Sequence, residues 1–413
     1  MEPLAPFDIE RLRRSWIVGV SGEDFFAKVR DWCRVCQDSL ELAPGRASFP
    51  SGRSGESSFM RGPEAGPPCF ILSEEDPIEF AAAFFAAVWV GQPVALANPR
   101  WGANEQAEFE RLLREHPVDP GVILIPTGGT TGGVKLAVHD WSSLRAAVAG
   151  LRDFLGGGPM HSCCVLPLYH VSGLMQIVRS FLTEGQLRFD DGVTQGFYLS
   201  LVPTQLQRAL QSVSTLTKIK QAKAVFLGGA PMSDELAAEA RRLKLPVIPV
   251  YGMTETAAMV AAVPNEDLLR DPNPGAVPLG QARFELTDVG QIRIQSPACF
   301  KGYHGQPPFD LSKGFLTGDL GRIDAAGRLH VLGRLDGLIL TGGEKVDPRE
   351  VEAALLRQEG VASAQVAGEP HPEWGQQVVA YLTGAASGSE QAIVEQLRTE
   401  LAPYKLPKRI VWQ

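Results

Sequence analysis

Several things are missing from this sequence, and each absence excludes a class of protein. No apolar run reaches the ~20 residues needed to cross a bilayer; the most apolar stretch, Phe80 to Val90, predicts a buried core helix. Cysteine is scarce. Six residues in 413, at positions 33, 36, 69, 163, 164 and 299, form no disulfide framework and point to a reducing, cytoplasmic compartment. Cys33 and Cys36 have CxxC spacing without a second pair, so zinc is not expected, and adjacent Cys163 and Cys164 on a strand would face opposite ways. A basic excess is also lacking: 39 Lys and Arg against 47 Asp and Glu give a net charge of −8, which argues against a nucleic-acid partner. The opening residues, MEPLAPFDIERLRRSW, have acids and prolines where a secretory leader needs a basic start and an apolar run, so no leader is expected. Neither a membrane nor a nucleic-acid partner follows from any of this, and oligomeric state leaves no trace in the sequence.

What is present is ordinary globular material, 44% apolar and 21% charged, in a chain long enough for two or three folding units. From Gly121 to Glu255 a short β-rich run followed by a polar turn occurs four times, at Val122–Ile125, Cys163–Leu168, Ala224–Leu227 and Val247–Val250. Helical stretches such as Trp141–Leu155 and Ser233–Leu243 lie between them. Such alternation predicts an α/β fold with parallel strands, crossover helices and polar turns converging on one crevice. Between Leu279 and Val331 short strands form a small β-rich module. A compact α+β unit follows: helix Pro348–Arg357, strands Ser363–Ala367 and Val378–Leu382, and helix Ser389–Leu401. The expected organisation is a large domain over 1–334, a hinge at 335–336 and a small mobile domain over 337–413. Ala47–Pro68, dense in Gly, Ser and Pro, reads as a loop.

The densest chemical signal is Pro126-Thr-Gly-Gly-Thr-Thr-Gly-Gly-Val-Lys135, directly after a strand. Glycines let backbone N–H groups turn toward an anion, threonines add hydroxyl donors and Lys135 adds charge, so a triphosphate is the natural guest. It is not a Walker A loop, because Val134 separates Gly133 from Lys135 and Leu136 replaces the required Ser or Thr. The fourth turn, Tyr251-Gly-Met-Thr-Glu-Thr256, offers a flat ring for a base, a hydroxyl for a phosphate and a carboxylate for Mg²⁺.

Together these two segments resemble the phosphate loop and the Tyr-Gly-x-Thr-Glu motif of the adenylate-forming superfamily of acyl-CoA synthetases and luciferases. Further segments match it in order: Gly228-Gly-Ala-Pro231 resembles the adenine turn, Thr317-Gly-Asp-Leu-Gly321 the ribose motif, Gly333-Arg-Leu-Asp336 the hinge and Gly368–Gly375 a turn of the small domain. Within the superfamily, Pro167-Leu-Tyr-His-Val-Ser-Gly173 followed by Arg179 is most similar to the o-succinylbenzoate–CoA ligases of menaquinone and phylloquinone synthesis.

The resemblance implies ATP, Mg²⁺ and coenzyme A as reactants and a reaction in two halves: a carboxylate attacks the α-phosphate to give an acyl-adenylate, then the CoA thiol displaces AMP. It gives Lys135, His170, Thr254 and Glu255 catalytic places, with Glu255 on the metal. It assigns ATP to Thr127, Gly128, Gly129, Thr130, Thr131, Gly132, Gly228, Gly229, Ala230, Pro231, Tyr251, Gly252, Asp319, Arg334 and Lys345. The acid falls to His170, Ser172, Gly173 and Arg179, whose guanidinium suits the carboxylate that does not react. Asp336 is the implied pivot. The superfamily also places a lysine beyond the segment matched by Pro403–Lys408, and the sequence as given stops at Gln413 before such a motif. Two alternatives to the o-succinylbenzoate ligase stay open: another aryl-acid CoA ligase, because these motifs do not define the acyl pocket, or, without that lysine, a nucleotide-binding form with little adenylation activity.

Overall fold

A computed structural model of the chain describes residues 6–39, 45–48, 57–61, 67–128, 133–190, 192, 195–335, 337–384 and 390–412. Gly129, Thr130, Thr131, Gly132 and the expected pivot Asp336 lie outside these described residues.

Four sheets organise the chain. The first holds β1 (Gly45–Ser48), β2 (Ser58–Arg61), β3 (Cys69–Leu72), β4 (Val94–Leu96), β5 (Ile123–Gly128) and β6 (Val134–His139) in sequence order. Its central strands β3, β4 and β5 are parallel, while β6 folds back antiparallel on β5. Strand β2 corrects the expectation of a loop over 47–68: Ser58-Phe-Met60 is a short run whose side chains are buried, and burial outweighs the flanking Gly and Ser. The second sheet comprises β7 (Ser162–Cys163), β8 (Leu187–Arg188), β9 (Tyr198–Leu201), β10 (Ala224–Leu227), β11 (Val247–Met253), β12 (Ala258–Ala262) and β13 (Val277–Pro278). Strands β7 to β11 run parallel and β12 and β13 close one edge antiparallel. The four β-turn units of the sequence thus divide between two sheets, the first in one and the other three in the next. The second run is also shorter than its apolar length suggests, a two-residue strand followed by one further backbone hydrogen bond from the Cys164 amide to the Arg188 carbonyl.

Helices α1 (Gly22–Asp38), α2 (Pro77–Val90), α3 (Ala103–Glu115), α4 (Trp141–Phe154) and α5 (Val171–Leu182) dress these sheets. Asp76 caps α2 by accepting the Ile78 and Glu79 amides, Pro77 opens it, and Gly91 ends it with φ 71°. Every residue from Phe80 to Val88 is buried, so α2 is a core helix as its sequence predicts. No helix among the described residues is long and apolar enough to cross a membrane. Between the parallel strands of the second sheet lie α5, which joins β7 to β8, and α6 (Pro203–Leu210), α7 (Val213–Gln221) and α8 (Asp234–Arg242), and a short α9 (Asn265–Arg270) follows β12.

The third sheet is the β-rich module, an antiparallel meander of β14 (Arg283–Leu286), β15 (Gln291–Gln295), β16 (Phe315–Ile323) and β17 (Leu329–Arg334). The fourth joins β18 (Ile339–Thr341), β19 (Glu344–Val346), β20 (Val361–His371), β21 (Gly375–Gly384) and β22 (Arg409–Trp412), with α10 (Pro348–Leu355) and α11 (Glu390–Leu397) packed on it. It has its own core, built on Ile339, Leu355, Val378, Leu382, Leu397 and Ile410.

Candidate active site

The bend between β5 and β6 is the first wall. The ladder sets Thr127 opposite Lys135 and Gly128 opposite Val134, so hydroxyl and ammonium start from one rung. The Lys135 ammonium lies 5.3 Å from the centre of the Tyr303 ring, and the Tyr303 hydroxyl donates to Glu255 Oε1 at 2.6 Å. Sequence reasoning missed Tyr303, which stands 48 residues from the carboxylate it serves and belongs to no recognised motif.

The second wall is the turn after β11. Thr254–Thr256 forms a single 3₁₀ turn, Thr256 Oγ1 ties it to the Met253 and Ala258 carbonyls, and the backbone then turns left-handed at Ala257 and Ala258 (φ 49° and 78°). His139 at the end of β6 supports it from below, its Nε2 lying 2.8 Å from the Thr254 carbonyl oxygen. A carbonyl only accepts, so Nε2 carries the proton. Burial pushes the His139 pKa down to about 4, which keeps the ring neutral. Glu255 is buried at 4% exposure, and its Oε2 has no hydrogen-bond partner. That orphaned anionic oxygen fits the Mg²⁺ the resemblance implies. Among the described residues no group of three or more His, Cys, Asp or Glu side chains is placed to hold a metal, so phosphate oxygens and water would complete the shell.

The nucleoside side is built on Asp319. Its Oδ2 accepts from the Tyr251 hydroxyl at 2.6 Å and its Oδ1 from Arg334 at 2.8 Å, the latter directly across the β16–β17 ladder. Burial and the adjacent carboxylate hold the Tyr251 phenol well above its ordinary pKa, so it stays a donor. A cavity of about 380 Å³ opens here between the turn Gly229-Ala-Pro231, Tyr251, Asp319 and Arg334. Gly228 supports this turn without lining it: a Cβ there would fall 2.7 Å from the Val250 side chain.

His170 caps α5 and its Nε2 lies 3.1 Å from Glu344 Oε1 in the β18–β19 hairpin. Burial works to raise the Glu344 pKa, but the His170 contact and nearby Arg100 and Lys405 hold it below the ordinary carboxylate range. His170, Thr127, Thr254, Glu344 and Lys345 line one cavity of about 120 Å³, and Lys345 also lines the nucleoside cavity. The small unit docks here by further contacts: buried Lys405 bridges Glu105 of α3 (2.9 Å) and Glu350 of α10 (2.7 Å), and Arg208 pairs with Glu373. These two carboxylates keep the Lys405 pKa raised against the effect of burial.

The expected acid-binding residues lie differently. Gly173 is a packing residue, since a Cβ there would sit 2.1 Å from the Pro167 carbonyl oxygen. Ser172 gives its carbonyl to the Gln176 amide. Arg179 is 2% exposed and lines neither cavity; its guanidinium meets the hydroxyls of Ser162 (2.9 Å) and Ser200 (3.2 Å), the Gln176 amide oxygen and the Phe226 ring. Burial lowers its pKa to about 10, which leaves it cationic at neutral pH, and the side-chain partners described for it are all neutral.

Residues 110–304 match the family described as AMP-binding enzyme, and residues 350–413 its C-terminal domain. A 2-succinylbenzoate–CoA ligase of Listeria monocytogenes is 31% identical over 332 residues, covering 75% of this chain and 69% of the relative. The chain belongs to the AMP-binding enzyme family. A second relative of this AMP-binding enzyme, a 2-succinylbenzoate–CoA ligase of Enterococcus faecalis, is 34% identical over 310 residues, 69% of this chain. The chain spans 64% of the length of that relative. In fold, the enzyme is similar to an o-succinylbenzoate CoA synthetase double mutant of Bacillus subtilis bound with its product analogue. The TM-score is 0.77 at 22% identity, over 98% of this chain and 94% of the other. The β5–β6 strands and the β11 turn lie within the matched residues 110–304, and the Asp319–Arg334 rung lies between the two matched ranges.

Proposed function

We propose that this AMP-binding enzyme is an AMP-forming acid–CoA ligase acting on o-succinylbenzoate, in the synthesis of menaquinone or phylloquinone. The observation that carries the reading is Lys345, which borders both the nucleoside cavity and the cavity of Thr127, Thr254 and His170. Adenine and ribose would occupy the first, with each Asp319 oxygen still offering a lone pair to a ribose hydroxyl. The polyphosphate would lie toward Thr127, Lys135 and Thr254. Glu255 would hold Mg²⁺, which supplies positive charge to the phosphate oxygens. Both names among the relatives favour the ligase over a nucleotide-binding form with little turnover.

In the first half-reaction a carboxylate oxygen bonds to the α-phosphorus and pyrophosphate leaves with its electron pair. An anion approaches a polyanion, so the protein contributes positioning and charge neutralisation. In the second, the CoA sulfur bonds to the acyl carbon, AMP departs and the thiol proton is lost. His170, held by Glu344, borders the cavity where the thiol would enter. Arg179 would be the cation for the second carboxylate of o-succinylbenzoate; it lines neither cavity, so the acid would have to take the place of the Ser162 and Ser200 hydroxyls on its guanidinium. The separate sheet and core of residues 339–412 support a small domain beginning after a hinge at 335–336. Six free, buried thiols support a cytoplasmic setting.

The test is release of AMP and mass-spectrometric detection of the thioester with ATP, Mg²⁺, CoA and a panel of aromatic acids. A clear preference for o-succinylbenzoate is expected. Preference for a different aryl acid would reassign the substrate, and calorimetric ATP binding without AMP release would leave a nucleotide-binding protein.

A further inference from the structure

Glu108 lies on α3, one helical turn after Glu105, and its carboxylate reaches out of its own helix to the bend between β5 and β6. Its Oε2 accepts the backbone N–H of Val134 at 2.8 Å, across 26 residues of sequence. Val134 begins β6, pairs with Gly128 on the last rung before the bend, and is followed by the Lys135–Thr127 rung. Fixing the Val134 amide from outside the ladder sets where β6 leaves the bend, and with it the base of the Lys135 side chain.

The neighbouring glycine carries the second observation. A Cβ at Gly133 would fall 2.5 Å from Glu108 Oε1 and 2.8 Å from Oε2. Gly133 is not among the glycines with positive φ, so its backbone conformation alone does not demand glycine. The space is taken by the carboxylate. A carboxylate beside a phosphate site works against the charge of the guest, so its place there must rest on what it holds rather than on what it attracts.

From this we propose that Glu108 is a positioning residue for the phosphate site. By filling the space left by Gly133 and accepting the Val134 amide, it holds Thr127 and Lys135 in one geometry toward the polyphosphate. The inference rests on the reading of this bend as the phosphate site given above, and the experiment separates the two.

Steady-state kinetics in ATP and ATP–pyrophosphate exchange are measured for Glu108→Ala, Glu108→Gln, Gly133→Ala, the Glu108→Ala/Gly133→Ala pair and Lys135→Ala, each with a thermal melt. Glu108→Ala is expected to lower kcat/KM for ATP roughly tenfold, mostly through KM, with the KM for the acid unchanged. Glu108→Gln, which keeps the acceptor, restores the ATP KM. Gly133→Ala displaces only the far end of a flexible side chain, so it should fold and reproduce the Glu108→Ala defect, and the pair should be no worse than either single change. An unchanged ATP KM in Glu108→Ala or in Gly133→Ala, or additive losses in the pair, overturns the positioning role while Lys135→Ala still fails. Full activity in Lys135→Ala overturns the phosphate-site reading itself. Should Glu108→Ala not fold, Gly133→Ala decides alone.

Discussion

Tyr303 donates its hydroxyl proton to Glu255 across 2.6 Å while its ring lies under the Lys135 ammonium. One aromatic side chain thereby touches both the cation and the carboxylate, while the second Glu255 oxygen has no hydrogen-bond partner among the described residues. Burial together with Glu255 holds the Tyr303 phenol well above its ordinary pKa, so the proton stays on it.

Replacing Tyr303 with Phe deletes that proton and leaves a second buried oxygen of Glu255 unpartnered. The cost is about 1–3 kcal/mol, read as a five- to hundredfold fall in pyrophosphate exchange. Glu255→Ala should be more severe, a loss of about 10²–10³ that added Mg²⁺ does not recover. Exchange rates of both variants check the order; a Tyr303→Phe enzyme as fast as its parent would sever this tyrosine from the chemistry.

His139 makes stability depend on acid. Its folded pKa is about 4 against 6.5 for an exposed histidine, so as pH falls the unfolded chain takes up the proton first. Stability present above pH 6.5 is lost as pH falls toward 4, by about 3 kcal/mol in total for this one group. His139→Gln keeps an amide donor for the Thr254 carbonyl and does not titrate. Melting temperatures between pH 7 and 4 should fall less steeply in the variant than in the parent, and equal slopes would remove His139 from the account.

Arg179→Met separates packing from recognition. The change removes the donor to the buried Ser162, Ser200 and Gln176 oxygens, so a stability loss of about 1–3 kcal/mol is expected, the same whichever acid is used. The KM for o-succinylbenzoate should rise at least about tenfold, whereas a monocarboxylic aryl acid should lose nothing, because only the dianion has a charge left over for the arginine. Equal effects on both acids would return Arg179 to the core.

Lys405→Met leaves Glu105 and Glu350 facing each other without a cation. Glu350 already has a pKa raised by burial, and Glu105 has an unpartnered buried oxygen. The expected loss is about 3–5 kcal/mol in urea unfolding, partly recovered by adding Glu105→Gln. A loss below 1 kcal/mol would mean that this contact is not made in solution.

Those parts of the site that depend on neighbours in sequence were legible in advance. The Thr127–Lys135 bend and the Tyr251–Glu255 turn each pack their chemistry into a few residues, and the structure places them as strand ends around one crevice. The split into two sheets was not legible, because β5 and β11 both read as apolar runs before polar turns and nothing local says which strands pair. The supports were equally hidden. Tyr303, His139, Glu108 and Lys405 act on partners 48, 115, 26 and 300 residues away, and no local spacing encodes such pairs. Arg179 was expected at the second carboxylate of the acid, and its burial could not be read in advance because it depends on where α5 packs against β7 and β9.

The contact between Lys405 and Glu105 joins residues 300 positions apart in the sequence. During translation, therefore, α3 is made well before Lys405 and cannot take up that partner until Lys405 has left the ribosome. Until then Glu105 lacks its cation and the face of α3 that the small unit covers stays open, so chains cut before Lys405 should be the forms most readily attacked by proteases.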